Sequence, residues 1–154
     1  MAKMLYLSQR DVAWANTKIG KTGLRLSDWG CTLTALSMLS SFYDCYKSPK
    51  ELAQIPYLFD RTGRIIWTAI PRVFGNTIKF EWRQYGRLDS AIRKSIVGSP
   101  KTSVLLEVNN KRHWVVGIAI EGSRDYWIVD PIDGKKKLLR KTYPNITGSA
   151  HLTI

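Results

Sequence analysis

The sequence has few cysteines, no long hydrophobic run and few acidic residues. Its two cysteines, Cys31 and Cys45, are too few to build a disulfide framework. No CxxC pair and no histidine-rich tract accompanies them, so we expect no metal site and no cofactor. No apolar run approaches the roughly 18 residues of a membrane span, and we therefore expect no transmembrane segment.

The first residues, 1–7, also lack the long apolar core of a signal peptide. We therefore expect a protein that is made in a cytoplasm. Two destinations are considered for it: association with a virion, or export by another route.

Acidic residues are outnumbered by basic ones. The chain has 12 Asp and Glu against 24 Lys and Arg, a formal net charge of +12. A surface of this sign attracts polyanions, among them nucleic acid, anionic cell-wall polymers and acidic lipid. The excess is spread along the chain, so charge alone does not choose among these partners.

Length and composition indicate one folded domain over residues 1–154. The chain is 44% hydrophobic and contains 6 Trp, 7 Tyr and 4 Phe. A chain of this size buries about two-thirds of its unfolded surface, which needs no disulfide or structural metal. The composition excludes a disordered tail and a fibrous repeat.

Periodicity predicts helices in the first half and strands in the second. Apolar residues at helical spacing predict a central helix over residues 31–45, and a capping box at Ser48 followed by Pro49 predicts a second helix. The other predictions are helices over 65–74 and 88–96 and strands over 79–85, 103–109, 113–121 and 125–130. This order predicts an α+β domain, with the N-terminal central helix packed on an antiparallel sheet.

Cys31 is the first candidate for chemistry, because it follows Gly30 and opens the predicted central helix. The positive end of the helix dipole and the free N–H groups of the first turn favour a thiolate. The alternative is a small buried side chain, since cysteine is among the most buried residue types. Cys45, about 21 Å away along a continuous helix, cannot reach Cys31 for a disulfide.

His113 is the candidate base for Cys31. It begins a predicted strand, HWVVGIAIE, and shares its face with small residues that leave room for a helix end or a substrate. A lone histidine is more often structural, and we assign that structural role to His151.

Asp130 is the candidate partner of His113, and Asp133 is its rival. A carboxylate beside the imidazole would hold its tautomer and stabilise the imidazolium. A four-residue hairpin loop, pairing Glu121 with Tyr126, places Asp130 opposite Gly117 and on the His113 face. A loop with an odd number of residues turns Asp130 away.

Five segments together resemble C39-like peptidase domains, which are papain-like cysteine peptidases. They are QRDVAWAN at 9–16, GCTLTALSM at 30–38, SPKEL at 48–52, HWVV at 113–116 and DP at 130–131. The resemblance implies a papain-like α+β fold with Cys31 as nucleophile and His113 as general base. It further implies Asp130 as the orienting acid and Gln9 as the oxyanion-hole donor.

We therefore interpret the chain as a cysteine peptidase or amidase that cleaves a peptide or amide bond. A compact basic domain fits a phage or bacterial enzyme acting on a peptidoglycan-type, anionic substrate. The basic segment 135–141 either guides such a substrate or forms a solvated edge strand. The alternative function is a catalytically silent domain that binds a peptide or glycan. We do not expect nucleic-acid binding, because no segment resembles a known nucleic-acid module.

Overall fold

The computed structural model of the protein describes residues 3–154 and has an α+β architecture. Met1 and Ala2, the start of the segment considered for a signal peptide, lie outside the described residues. The helices are α1 (Leu26–Trp29), α2 (Cys31–Phe42), α3 (Pro49–Ala53), α4 (Ile70–Val73), α5 (Asp89–Val97) and α6 (Leu139–Thr142). The strands are β1 (Lys79–Tyr85), β2 (Thr102–Val108), β3 (His113–Glu121), β4 (Asp125–Asp130), β5 (Lys135–Leu138) and β6 (Ile146–Thr153).

The six strands form one antiparallel sheet in the order β1-β6-β2-β3-β4-β5. β1, β3 and β4 have the predicted bounds, and β2 begins and ends one residue earlier than predicted. The sequence shows only a weak strand pattern around His151 and gives no bounds for β6, although β6 lies inside the sheet between β1 and β2. Its sequence, ITGSAHLT, contains glycine, serine and alanine, so burial by neighbouring strands decides its conformation rather than strand propensity.

Two hydrophobic clusters cover the two faces of the sheet. The first joins α2 to the sheet through residues such as Leu36, Leu39 and Val116. The second joins the other face to α5 and α6, and it includes Ile92 and Leu139. The central helix therefore packs on an antiparallel sheet, as the sequence predicts.

The helical predictions need two corrections. α2 ends at Phe42, three residues before its predicted end, because Asp44 adopts a left-handed φ of 57° that a helix cannot continue through. The predicted helix over 65–74 is broken into a 3-10 turn, Trp67–Ala69, followed by α4. Pro71 lacks a backbone N–H and clashes with a preceding helical turn, so it fits only at the start of α4.

Within residues 3–154, no helix combines the length and apolar character needed to cross a membrane.

Candidate active site

Gly30 joins α1 to α2 and sets the position of Cys31. The backbone N–H of Gly30 donates to the Leu26 carbonyl at 2.8 Å, and the Gly30 carbonyl accepts from Thr34 at 2.9 Å. A Cβ added at Gly30 would lie 2.5 Å from the Leu26 carbonyl oxygen. Only glycine therefore allows the two helices to meet this closely, and Cys31 becomes the first residue of α2.

Cys31 is partly buried and has several neighbours that favour its thiolate form. Burial by itself would raise the pKa of the thiol. The hydrogen bond and charge of His113 oppose burial, as do the backbone N–H of Trp114 and the hydroxyl of Thr32, and the pKa of Cys31 is lowered as a result. The structure thus brings Cys31 together with His113.

The hairpin of β3 and β4 does not have the predicted register. Glu121 pairs with Asp125 instead of Tyr126, so the loop has three residues, 122–124. A loop of odd length would by itself turn Asp130 away from the His113 face, because side chains alternate along a strand.

A β-bulge restores the face on which Asp130 lies. The register shifts by one residue between Gly117 and Ala119, after which Val116 pairs with Val129. Asp130 then falls beside Val115, two residues from His113 instead of the predicted four. The conclusion that Asp130 lies on the His113 face is thus correct, although the pairing that led to it is wrong.

His113 and Asp130 form a buried hydrogen bond. Nε2 of His113 lies 2.7 Å from Oδ1 of Asp130, which leaves Nδ1 of the imidazole free to interact with Cys31. Burial by itself would lower the pKa of His113, but its hydrogen bonds to Asp130 and Cys31 raise the pKa to about 9. The imidazole of His113 is therefore hydrogen-bonded to the Asp130 carboxylate, and it also interacts with the Cys31 thiol closely enough that each shifts the pKa of the other.

Asp130 is fully buried and accepts four hydrogen bonds. Oδ1 accepts from His113 and from the backbone N–H of Ile132 at 3.0 Å. Oδ2 accepts from the hydroxyl of Tyr143 at 2.6 Å and from Nζ of Lys137 at 2.9 Å. Burial opposes ionisation, yet these donors hold the pKa of Asp130 well below its usual value.

Lys137 and Tyr143, which both bond Asp130, were not among the predicted site residues. Lys137 belongs to the basic segment 135–141, and its β5 position pairs with Ile128, which shares a face with Asp130. Side chains alternate between the two faces of a strand, so knowledge of this pairing would have placed Lys137 on the Asp130 face of the sheet. Tyr143 follows α6, and no sequence pattern places it near the site.

Asp133, the rival acid, does not bond His113. Its carboxylate lies 2.8 Å from Nζ of Lys137 and also accepts from the backbone N–H of Lys135 at 3.1 Å. Lys137 thus bridges the two aspartates, and Asp130 is the one that meets the imidazole.

Gln9 is buried and tied to both sides of the site. Its backbone N–H donates to the carbonyl of Pro131, the residue after Asp130, at 2.7 Å. Its Nε2 donates to the Ser27 carbonyl at 3.0 Å, in the helix that leads into Cys31. A primary amide has two N–H groups, and the Ser27 carbonyl uses one of them.

The remaining histidine and cysteine lie elsewhere. His151 is buried in β6 between the hydroxyls of Ser95, at 2.7 Å, and Ser149, at 2.8 Å. Burial and the nearby Asp44 carboxylate raise the pKa of Cys45, the opposite of the change at Cys31. Among residues 3–154, no cluster of three or more histidine, cysteine or acidic side chains is arranged to hold a metal ion.

Comparison of the chain with protein-family models gives no match, and comparison with curated proteins gives no significant match either. The resemblance to C39-like peptidase domains therefore rests on the sequence motifs alone.

Proposed function

We propose that this chain is a papain-like cysteine peptidase or amidase of the C39-like type. The observation that carries the proposal is the chain of contacts from Cys31 through His113 to Asp130. A thiol at the first residue of a helix, with a lowered pKa and an imidazole held by a carboxylate, has the features of an activated nucleophile. The contact between Cys31 and His113 also favours catalysis over the silent binding domain.

In the first half of the reaction, the Cys31 thiolate attacks the carbonyl carbon of a peptide or amide bond. A carbon–sulfur bond forms, and the carbonyl oxygen becomes an oxyanion. The imidazolium of His113 then donates its proton to the leaving nitrogen as the carbon–nitrogen bond breaks. The amine departs and the acyl group stays on Cys31 as a thioester.

In the second half, water hydrolyses the thioester. Neutral His113 takes a proton from the attacking water, and the carbon–sulfur bond breaks to release a carboxylic acid and the thiolate. Asp130 stays ionised throughout and stabilises the imidazolium that forms in each cycle.

Gln9 supplies a donor for the oxyanion. One N–H of its side-chain amide is used by Ser27, and the other is available to the substrate. The backbone N–H of Cys31, in the first turn of α2, has no intrahelical acceptor and provides the second donor. The bonds from Gln9 to both sides of the site fix its position before substrate binds, which is what an oxyanion hole requires.

The proposed chemistry and the charge together indicate the substrate class. Exposed Arg10 follows Gln9 in the chain, and exposed Arg112 precedes His113, so two cations flank the proposed catalytic residues. Together with the net charge of +12, these cations favour an anionic peptide. The carboxylate-bearing peptides of peptidoglycan have this chemistry, and we assign the protein to phage or bacterial peptidoglycan cleavage, on a virion or after export.

The experiment is hydrolysis of purified bacterial peptidoglycan, with new amino termini counted after incubation. We expect release by the unaltered protein, loss of release in Cys31→Ala and normal release in the matched control Cys45→Ala. A synthetic anionic peptide is a second substrate. Cleavage of that peptide but not of peptidoglycan would overturn the substrate class, whereas cleavage that survives in Cys31→Ala would overturn the mechanism.

A further inference from the structure

The Asp130 carboxylate accepts three hydrogen bonds in addition to the one from His113. Each of its oxygens accepts two donors: Oδ1 from His113 and Ile132, and Oδ2 from Tyr143 and Lys137. A carboxylate with all these donors cannot rotate without losing several bonds at once. Its orientation toward His113 is therefore set by groups on the opposite oxygen.

Lys137 brings charge as well as a hydrogen bond. Its ammonium lies 2.9 Å from Asp130, which is fully buried, and 2.8 Å from Asp133, which is partly exposed. Asp130 alone would place a full negative charge beside His113 in a buried environment, where charges are weakly screened. The ammonium offsets part of that charge, and Asp133 in turn holds the ammonium in place.

We infer that Lys137 is a positioning residue that, together with Tyr143, fixes the Asp130 carboxylate and limits how strongly this carboxylate stabilises protonated His113. The importance of this role for turnover rests on the proposed peptidase function. An imidazolium that is too stable gives up its proton slowly, and the leaving amine needs that proton. The lysine therefore tunes the acid that the reaction uses.

The groups that act on His113 come from α2, β4 and β5 and from the loops that follow β4 and α6. Cys31 of α2, Asp130 of β4 and the Tyr143 ring, whose centroid is 5.4 Å from the imidazole centroid, face His113 directly. Lys137 of β5 and Asp133 act through Asp130.

Removal of the Lys137 charge should raise the pKa of His113, and removal of the Asp133 charge should lower it. If the two charges act on His113 electrostatically, their removal shifts its pKa in opposite directions. Loss of packing alone would not produce opposite shifts.

The test is an NMR titration of the two histidines in the full chain. We expect the midpoint of His113 to rise by about one pH unit in Lys137→Met, because the lost ammonium lies 2.9 Å from the Asp130 carboxylate that bonds the imidazole. It should fall in Asp133→Asn, stay unchanged in Lys136→Met, and return toward the original value in Lys137→Arg. Tyr143→Phe removes a hydrogen bond but no charge, so its shift should be smaller than that of Lys137→Met.

His151 is an internal reference for folding, because it is buried far along the sheet and does not contact the Asp130 cluster. An unchanged His113 midpoint in Lys137→Met, with normal His151 signals, would overturn the inference. If Lys137→Met does not fold, a rise or no shift in Asp133→Asn overturns it. No substrate is needed, so failure of this titration and failure of the peptidase proposal are separate results.

Discussion

Nε2 of His113 lies 2.7 Å from Oδ1 of Asp130, although the three-residue loop between β3 and β4 would by itself place the two side chains on opposite faces of the sheet. The bulge between Gly117 and Ala119 corrects the register. The acid and the imidazole therefore depend on one irregular position in β3, several residues away from either of them.

The two aspartates should differ in their effect on turnover. We expect Asp130→Asn to lower turnover of a cleaved substrate by at least about tenfold, because an amide neither stabilises the imidazolium nor selects its tautomer. Asp133→Asn should change turnover near neutral pH by less than about threefold, because its carboxylate bonds Lys137 and not His113. Circular dichroism checks that both variants are folded. An essential Asp133 beside a dispensable Asp130 would show that the assignment of the acid is wrong.

Gly30 should be intolerant of a side chain. We expect Gly30→Ala to lower the free energy of unfolding by about 1–3 kcal/mol, because the new Cβ collides with the Leu26 carbonyl. Gly23→Ala is the matched control, since a Cβ added at Gly23 would have no neighbour within 4 Å. Urea denaturation measures both. Equal stability of the two variants would mean that the junction of α1 and α2 is not constrained at Gly30.

His151 should make the fold sensitive to acid. Burial lowers the pKa of His151 below its usual 6.5, so the unfolded chain binds a proton more readily than the folded one. Its contribution to stability is complete above pH 6.5 and is lost as the pH falls below that value. We expect the loss of stability between about pH 7.5 and about pH 5.5 to be smaller in His151→Gln than in the unaltered protein. An equal loss in both, measured by urea denaturation, would assign the acid sensitivity to other groups.

The fold class and the position of Cys31 at the start of α2 could be predicted because local signals carry them. The periodicity of α2, the glycine before Cys31 and the alternation in β3 and β4 are all local properties of the chain. The papain-like assignment goes further than these signals, and it stays part of the proposal.

The register of the hairpin and the contacts of Asp130 could not be predicted. Glycine inside a strand often marks a bulge, so Gly117 is a local sign of an irregularity in β3, but it gives neither the size nor the direction of the register shift. Lys137 stands in a run of three lysines. Lys137 forms a hydrogen bond with Asp130, whereas Lys136 is exposed, and only the pairing of β5 with β4 distinguishes the two lysines. β6 and Tyr143 likewise owe their positions to tertiary contacts and not to local propensity.

The central claim is that Cys31 is activated by His113, and competitive alkylation tests it most directly. We predict that iodoacetamide near neutral pH modifies Cys31 at least about tenfold faster than Cys45, because only Cys31 has a lowered thiol pKa and an imidazole partner. His113→Ala should remove most of that difference without changing the rate at Cys45. Modification of Cys45 as fast as Cys31 in the native protein would contradict the claim.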